Sequence, residues 1–394
     1  MFARLPRLAA ALLIALPLSA CIDDLAVSGP VATTPEAKAL HRLFADSDEA
    51  GLKLNPIEGL FRGDPRYAGE FGDYISDDYF AARRRNAESD LQRLKSIDRA
   101  ALAPQDQIAY DVFEYQTRQQ LKALSPDIVA LSAVRPLNHL EGLHIQYPDI
   151  NSGQSVATYK TLDDYENGLK RIDGFVTYLD RAVARMRQGM KSGVVESKLT
   201  MGIMVTQLDD LIAQGVEKSP FWQPVANMPA TIGASDRARL TEEFRAELKD
   251  KVVPAYERLR KFVKNEYLPV TRKGVGIVNM RGGRTLYDFL VEQQTTTKLT
   301  AEEIHQIGLK EVARIKSEMD KVRRAVGFKG SLHAFFTHLR TAEQFEPKSA
   351  EDLQTRYADI ARRIEATIPQ DFSLTPKTKL ELRRVPDYLE QSQA

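Results

Sequence analysis

The 394-residue chain carries 55 basic and 54 acidic side chains, a formal net charge of +1, and 43% of its residues are hydrophobic. So even a balance excludes a general electrostatic attraction for nucleic acid or anionic lipid, and the single cysteine, Cys21, excludes intrachain disulfides. A chain of this length and apolar content can bury a substantial core by packing alone and divides into two or three lobes.

The chain opens with Arg4 and Arg7 ahead of an apolar run, Leu8 to Leu18, interrupted only by Pro17. The run falls well short of the roughly 20 apolar residues a membrane span needs. With its positive flank and the small residues Ser19 and Ala20, residues 1–20 have the order of an export signal peptide that is removed. Leu18-Ser19-Ala20-Cys21 resembles the lipobox of bacterial lipoproteins, which implies lipid attachment at Cys21: a diacylglycerol on its sulfur and an acyl chain such as palmitate on the new amino terminus. Two or three chains anchor stably where one binds only marginally. Loss of residues 1–20 removes two arginines and no acid, leaving 53 basic against 54 acidic side chains. Residues 21–34, with Gly29, Pro30, Thr33 and Thr34, read as a tether. Ile22 rather than aspartate follows the cysteine. By similarity to lipoprotein sorting in Gram-negative bacteria, this implies the outer membrane, facing the periplasm.

The body, 35–394, reads as all-α: an irregular array of long amphipathic helices with at most one or two short strands near the C-terminus. Helices are predicted at 35–48, 78–98 (capped by Asp77 or Asp78), 104–124, 161–190 (Thr161 with Asp164 as a capping pattern) and 199–215. A longer one spans about 235–268, its stripe being Leu240, Phe244, Leu248, Val252, Tyr256, Leu259 and Val263; Pro254 removes one backbone bond and predicts a kink or break. Arg281-Gly282-Gly283-Arg284 is a basic turn that reads as a loop between helices, with contact to an anion as the alternative. Thr300-x-x-Glu303 is a capping box. Behind it Ile304, Ile307, Val312, Ile315, Met319 and Val322 fall at helical spacing, predicting a buried face. Ser349-x-x-Asp352 starts another helix with Leu353, Tyr357, Ile360, Ile364 and Ile368 on one stripe, ended by Pro369. Leu380 to Val385 alternates enough for one strand. Two lobes, 35–230 and 231–394, fit this layout.

The chemistry-bearing residues are sparse. A zinc peptidase helix needs two imidazoles on one face, usually as H-E-x-x-H. None of His41, His139, His144, His305, His333 and His338 is followed by glutamate. His139 and His144, like His333 and His338, are five apart, about 140° around a helix, and read as surface or loop histidines. Glu302 and Glu303 beside His305 are explained by the helix start. The chain has no G-x-S-x-G elbow, no phosphate-binding loop and no dinucleotide fingerprint.

One stretch adds a resemblance. Thr295-Thr296-Thr297-x-Leu299-Thr300-x-Glu302-Glu303-Ile304-His305-Gln306-Ile307-Gly308-Leu309, continuing to Glu311-Val312-x-Arg314-Ile315 and Glu318-Met319, resembles the signature of the bacterial domain-of-unknown-function 885 family. Tyr267-Leu268-Pro269, Gly274-Val275-Gly276 and Tyr287 are similar to the segment preceding it there, and Pro56, Gly63, Tyr74 and the Leu91-to-Asp98 run to the family's opening. The resemblance covers roughly residues 50–394. It implies a mostly helical, often lipid-anchored protein similar to zinc-dependent peptidases, with zinc on an H-E-x-x-P-G-H-like helix downstream of a segment similar to Val385-Pro386-Asp387-Tyr388-Leu389. No position here matches that helix, so the resemblance assigns no catalytic, cofactor-binding or metal-binding residue to this chain. Cys21 is its one assigned site.

The expectation is a lipid-anchored cell-envelope protein corresponding to the N-terminal part of a metallopeptidase-like fold, truncated and without catalytic activity as it stands. The alternative is a non-catalytic peptide-binding or scaffold lipoprotein. Its partners would be the membrane, through the anchor, and peptides, with no nucleic acid. A core cut this way is expected to expose an apolar patch along 295–368, and so to be marginally stable or to associate.

Overall fold

The computed structural model describes residues 34–382, and almost every element in them is helical. Among these residues no strand forms; the β structure is one isolated parallel bridge, Ser197 to Arg272. Leu380 to Leu382, half of the expected strand, have no regular structure, while Arg383, Val385, the 385–389 segment, the signal peptide and Cys21 lie outside the described residues. No described helix is long and apolar enough to cross a membrane. By its contacts the chain divides into two units, 34–300 and 301–382, a boundary well downstream of the one read at 230/231.

In the first unit, α1 (Pro35–Leu54), α2 (Ile57–Arg62), α3 (Asp77–Lys95) and α4 (Pro104–Ala123) come first. Thr34 caps α1, its hydroxyl accepting from the Ala37 amide at 3.1 Å, with Pro35 in the first turn where no amide is needed. The cap of α3 is Ser76, which accepts from the Tyr79 amide at 3.0 Å; Asp77 and Asp78 instead occupy the first turn, where their charge favours the helix dipole. Ala37, Leu40 and Leu43 of α1 pack with Leu94, Ile97, Leu102 and Tyr110 into one small core.

Two short helices, α5 (Pro126–Ser132) and α6 (Leu143–Ile150), lead to α7 (Leu162–Ser192), 31 residues long. Its start is the capping box read from the sequence: Asp164 N–H donates to Thr161 Oγ1 at 3.3 Å, and Thr161 N–H donates back to Asp164 Oδ2 at 2.8 Å. Gly168, Arg171, Ile172, Phe175, Leu179, Ala182, Met186 and Gly189 form its buried stripe. A Cβ on Gly168 would lie 2.4 Å from the Tyr159 hydroxyl, so glycine sets how closely the 151–160 loop can approach.

Against α7 pack α10 (Ala234–Glu247) and α11 (Val253–Phe262), with α8 (Lys198–Ala213) on α11 and the short α9 (Gln223–Ala226) on α10. All seven stripe residues read for 235–268 are buried. The irregularity expected at Pro254 is a widened, π-helical turn over Leu248–Val252, immediately before the proline-bearing start of α11. A second π turn, Val263–Tyr267, precedes Leu268 and Pro269. Each widening lets the ladder pass a residue with no amide to give. The unit closes with α12 (Gly283–Thr295), whose Leu286 and Phe289 join Ile128, Val134, Val194 and Met280 in a third core.

The second unit holds α13 (Ala301–Ala325), α14 (Leu332–Thr341) and α15 (Ala350–Asp371). Ser349 caps α15 as read, accepting from the Asp352 amide at 3.2 Å. Pro369 does not end that helix: it sits inside the last turn, which runs to Asp371, because a proline that close to the end forfeits a single bond. The buried faces expected on α13 and α15 are absent. Neither helix has a buried residue, and Phe335 of α14 is the unit's one buried hydrophobic among the described residues. Ile307, Val312, Ile315, Met319 and Val322 are 41–56% exposed, and Leu353, Tyr357, Ile360 and Ile364 42–55%. The stripes have the right period, but their residues are not buried.

Candidate functional site

The histidines separate at once. His41 is exposed, with Nε2 2.9 Å from Asp106 Oδ1; His305 and His333 are exposed; His338 is half-buried and stacks on Phe328 at 5.3 Å. Among the described residues no three of His, Cys, Asp and Glu converge as metal ligands.

His144 departs from the surface reading. It lies on α6, is fully buried, and neither ring nitrogen has a hydrogen-bond partner. Burial pushes its pKa down from 6.5 to about 4. The folded protein thus holds a neutral imidazole that the unfolded chain protonates near pH 6.5, so the unfolded state binds the extra proton between the two values. Stability is complete above pH 6.5 and falls as the pH drops toward 4, by about 3 kcal/mol for this group alone. Denaturant unfolding of wild type and His144→Leu at pH 7.5 and 4.5 checks this. The variant is expected to lose distinctly less stability on acidification, and equal losses would refute the assignment.

Two further half-buried polar side chains meet across 68 residues of sequence. Gln207 of α8 donates from Nε2 to the His139 carbonyl at 2.9 Å, while Gln207 Oε1 and His139 Nδ1 are sealed without partners. The loop between α5 and α6 thus pairs with α8 through one bond and leaves two polar atoms unmet.

Arg171, in the middle of α7, is 2% exposed. Its Nε donates to the Tyr147 hydroxyl at 3.3 Å, its Nη2 to Asn151 Oδ1 at 2.8 Å and the Tyr159 hydroxyl at 3.3 Å, and its Nη1 to the Ala68 carbonyl. No carboxylate pairs with it among the described residues. Burial also drives both tyrosines above their usual range, Tyr159 to about 12, so they are neutral acceptors. Asn151 Nδ2 is left buried without a partner. Arg171 ties α7, the end of α6 and the 68 and 151–160 loops to one point.

The remaining cluster combines buried charge with access. Glu196, just before α8, has its side chain 7% exposed. Arg135 Nε donates to Glu196 Oε1 at 2.9 Å, and Arg272 Nη2 stands 3.8 Å from Oε2, too far for a hydrogen bond. Their side chains keep 16% and 11% of their surface. Arg135 Nη1 meets only the Met280 sulfur, at 2.7 Å. Arg272 is braced by backbone, donating from Nε to the Val195 carbonyl at 3.1 Å and from Nη1 to the Gly276 carbonyl at 2.8 Å and that of Gly274. Burial holds the Arg272 guanidinium below its usual range, with Glu196 opposing and Arg135 reinforcing. The Tyr267 hydroxyl, fully buried, accepts from the Glu196 amide at 2.9 Å. Val275 and Val278, each 64% exposed, sit on the loop beside it.

The Arg281-to-Arg284 turn is the start of α12, not a free loop: a Cβ on Gly283 would stand 1.8 Å from the Ile277 carbonyl oxygen, so the loop end and the helix start close on a glycine. Arg281 Nη1 donates to the Ser192 carbonyl at 3.0 Å. Glu302 and Glu303 lie in the first turn of α13, as the dipole requires. Thr296, the cap of α12, takes the left-handed conformation at φ 55°, rare for a β-branched residue. An open hollow of about 510 Å³, between α1, α2 and Phe113, lies elsewhere and contains none of these groups.

A family profile described as bacterial protein of unknown function (DUF885) matches residues 56–394. No curated protein matches the chain. In three dimensions the chain is similar to a crystal structure described as that of a lipoprotein from Colwellia psychrerythraea, with a TM-score of 0.74 and 17% identity, over 91% of this chain and 64% of that one. At that identity the likeness is one of fold, and this chain spans less than two thirds of that protein's length.

Proposed function

The chain belongs to the bacterial family of unknown function DUF885, and from that membership we propose that it is a lipid-anchored envelope protein carrying the helical part of a metallopeptidase-like fold, without hydrolytic activity of its own. The observation behind the second half is the histidine distribution. In a chain that matches the family profile over 56–394, none of the six histidines is followed by glutamate, and the one nearest the core is sealed in apolar surroundings. A zinc site of the H-E-x-x-H kind needs two imidazoles and a carboxylate turned to one point. The expected result is no cleavage of a peptide library with or without added zinc; zinc-dependent cleavage by the purified chain would overturn the reading.

The anchor half rests on Leu18-Ser19-Ala20-Cys21 ahead of a tether and on the likeness to a protein described as a lipoprotein. Ile22 in place of an aspartate supports the outer membrane. Replacing Cys21 by serine is expected to move the protein from the detergent phase to the aqueous phase in phase partitioning, with its helical circular dichroism unchanged. Unaltered membrane association would refute lipid attachment at Cys21.

A second reading, peptide binding without cleavage, is favoured by the cluster at Glu196. It combines accessible guanidinium groups with exposed valines on one braced loop, the mixture of charge and apolar surface that a peptide offers in reverse.

A further inference from the structure

The charges around Glu196 do not cancel. Two guanidinium groups, each less than one fifth exposed, share a single carboxylate, and the charged or polar groups that act on Arg272 are Glu196, Arg135 and Tyr267. Buried charges are ordinarily paired, because an unpaired ion loses its hydration for nothing. One positive charge is therefore left over, in a place that solvent still reaches.

The hydrogen-bond count agrees independently. Glu196 Oε1 takes the Nε edge of Arg135, leaving the two Nη nitrogens with a thioether, a weak acceptor, as their one contact. Arg272 has its Nε and Nη1 satisfied by carbonyls, but Nη2 has no acceptor within hydrogen-bond distance. Tyr267 is fully buried, and its hydroxyl accepts a hydrogen bond from Glu196 N–H yet donates none to an acceptor among the described residues. Both arginines and Glu196 lie in its electrostatic surroundings. Apart from Glu196 Oε2, which faces Arg272 at 3.8 Å without a hydrogen bond, the groups left open are donors, and the partner that suits them is an acceptor with negative charge.

We propose that Arg135 and Arg272 form a subsite for a carboxylate carried by a peptide, with Val275 and Val278 meeting the apolar side chains next to it. This rests on the peptide-binding reading and adds to it the group that is recognised. Each guanidinium keeps its Nη2 group open, and the two oxygens of a carboxylate can take one charge-assisted bond from each. The bracing of Arg272 by three carbonyls and the parallel bridge from Ser197 fixes its Nη2 group before any ligand arrives, so little ordering is lost on binding. Glu196 acts here as a positioning residue: it holds Arg135 in place and leaves a net charge of plus one.

The test uses the full chain and three probes: acetyl-Ala-Val-Ala-Val-Ala with a free carboxyl terminus, the same peptide as its carboxamide, and acetyl-Ala-Val-Glu-Val-Ala carboxamide. Titration calorimetry is expected to show the free acid binding at least about tenfold more tightly than the amide. Tight binding of the glutamate peptide as well would assign the carboxylate to side chains and termini alike, and its absence to termini alone; both support the subsite. Arg272→Gln and Arg135→Gln are each expected to bring the free acid down to the amide's affinity. Lys191→Ala, at an exposed position in the last turn of α7, is expected to change nothing. Arg272→Lys, which keeps the charge and removes the fork, tests the same point should the glutamine variant unfold, with a several-fold loss expected. Equal binding of acid and amide by the wild type would overturn the subsite while leaving peptide binding intact. Failure of all three probes to bind would overturn both.

Discussion

Replacing Arg171 by alanine lowers the stability of the protein by about 3–5 kcal/mol, the range of a large buried side chain whose removal leaves both a cavity and unmet polar atoms. The sign is not obvious, since exchanging a buried charge for an apolar side chain is often neutral or even stabilising. Geometry decides it. Arg171 has paid the cost of burial without an anionic partner, and recovers it through four bonds to Tyr147, Asn151, Tyr159 and the Ala68 carbonyl. The tyrosines and Asn151 bond partly to each other, Tyr159 to Asn151 Oδ1 at 2.8 Å, so they survive the loss. The Ala68 carbonyl does not. Arg171→Met, which fills the space, is therefore expected to cost about 1–3 kcal/mol, the price of that orphaned carbonyl. Arg171→Lys is expected to fall between the two, since one ammonium cannot span acceptors on three segments. Denaturant unfolding of the three variants checks the order; an alanine variant within about 1 kcal/mol of wild type would show that the cluster is incidental.

The second large effect lies in 301–382. Purified protein is expected to elute as an assembly larger than a monomer and to bind a hydrophobic dye, because α13 and α15 present stripes of five and four large apolar side chains at 41–56% exposure. Burying one such side chain stabilises by about 1.5–3 kcal/mol, and a surface of this extent exceeds what monomers usually carry. The double substitution Ile315→Glu and Ile360→Glu is expected to weaken association by well over tenfold and to reduce dye binding. Helicity should be retained, since neither residue is buried. Size-exclusion chromatography with light scattering reads the outcome. A monodisperse wild-type monomer that leaves the dye dark would count against the argument.

The all-α reading and the longest helices were legible because their signals are local or periodic. Thr161 and Asp164 are three apart and cap each other; the stripe from Leu240 to Val263 repeats once per turn and is buried throughout. The short helices α2, α5 and α6 have at most about two turns, too few for a period to show. The stripes on α13 and α15 predicted amphipathic helices correctly and burial wrongly, because periodicity reports that a face is apolar and not whether anything covers it. The site was the least legible part. Arg135 and Glu196 are 61 residues apart and Arg272 farther still, so nothing in the local sequence joins them. The one trace of the cluster was the Gly274-Val275-Gly276 segment singled out by resemblance, and two of its carbonyls brace Arg272. His144 was misread as a surface residue because a single buried imidazole leaves no pattern along the chain.

The long α7 bears on how the family can vary. Its buried stripe carries glycines at two positions of close approach and a guanidinium that must reach acceptors from three other segments, all phased on one helix. A substitution there is a local event. An insertion or deletion of one residue is not, since it turns everything beyond it by about 100° and presents a polar flank to the core. Lineages descended from this fold are therefore free to change the letters of α7 far more readily than their number, and length variation belongs in the loops around it.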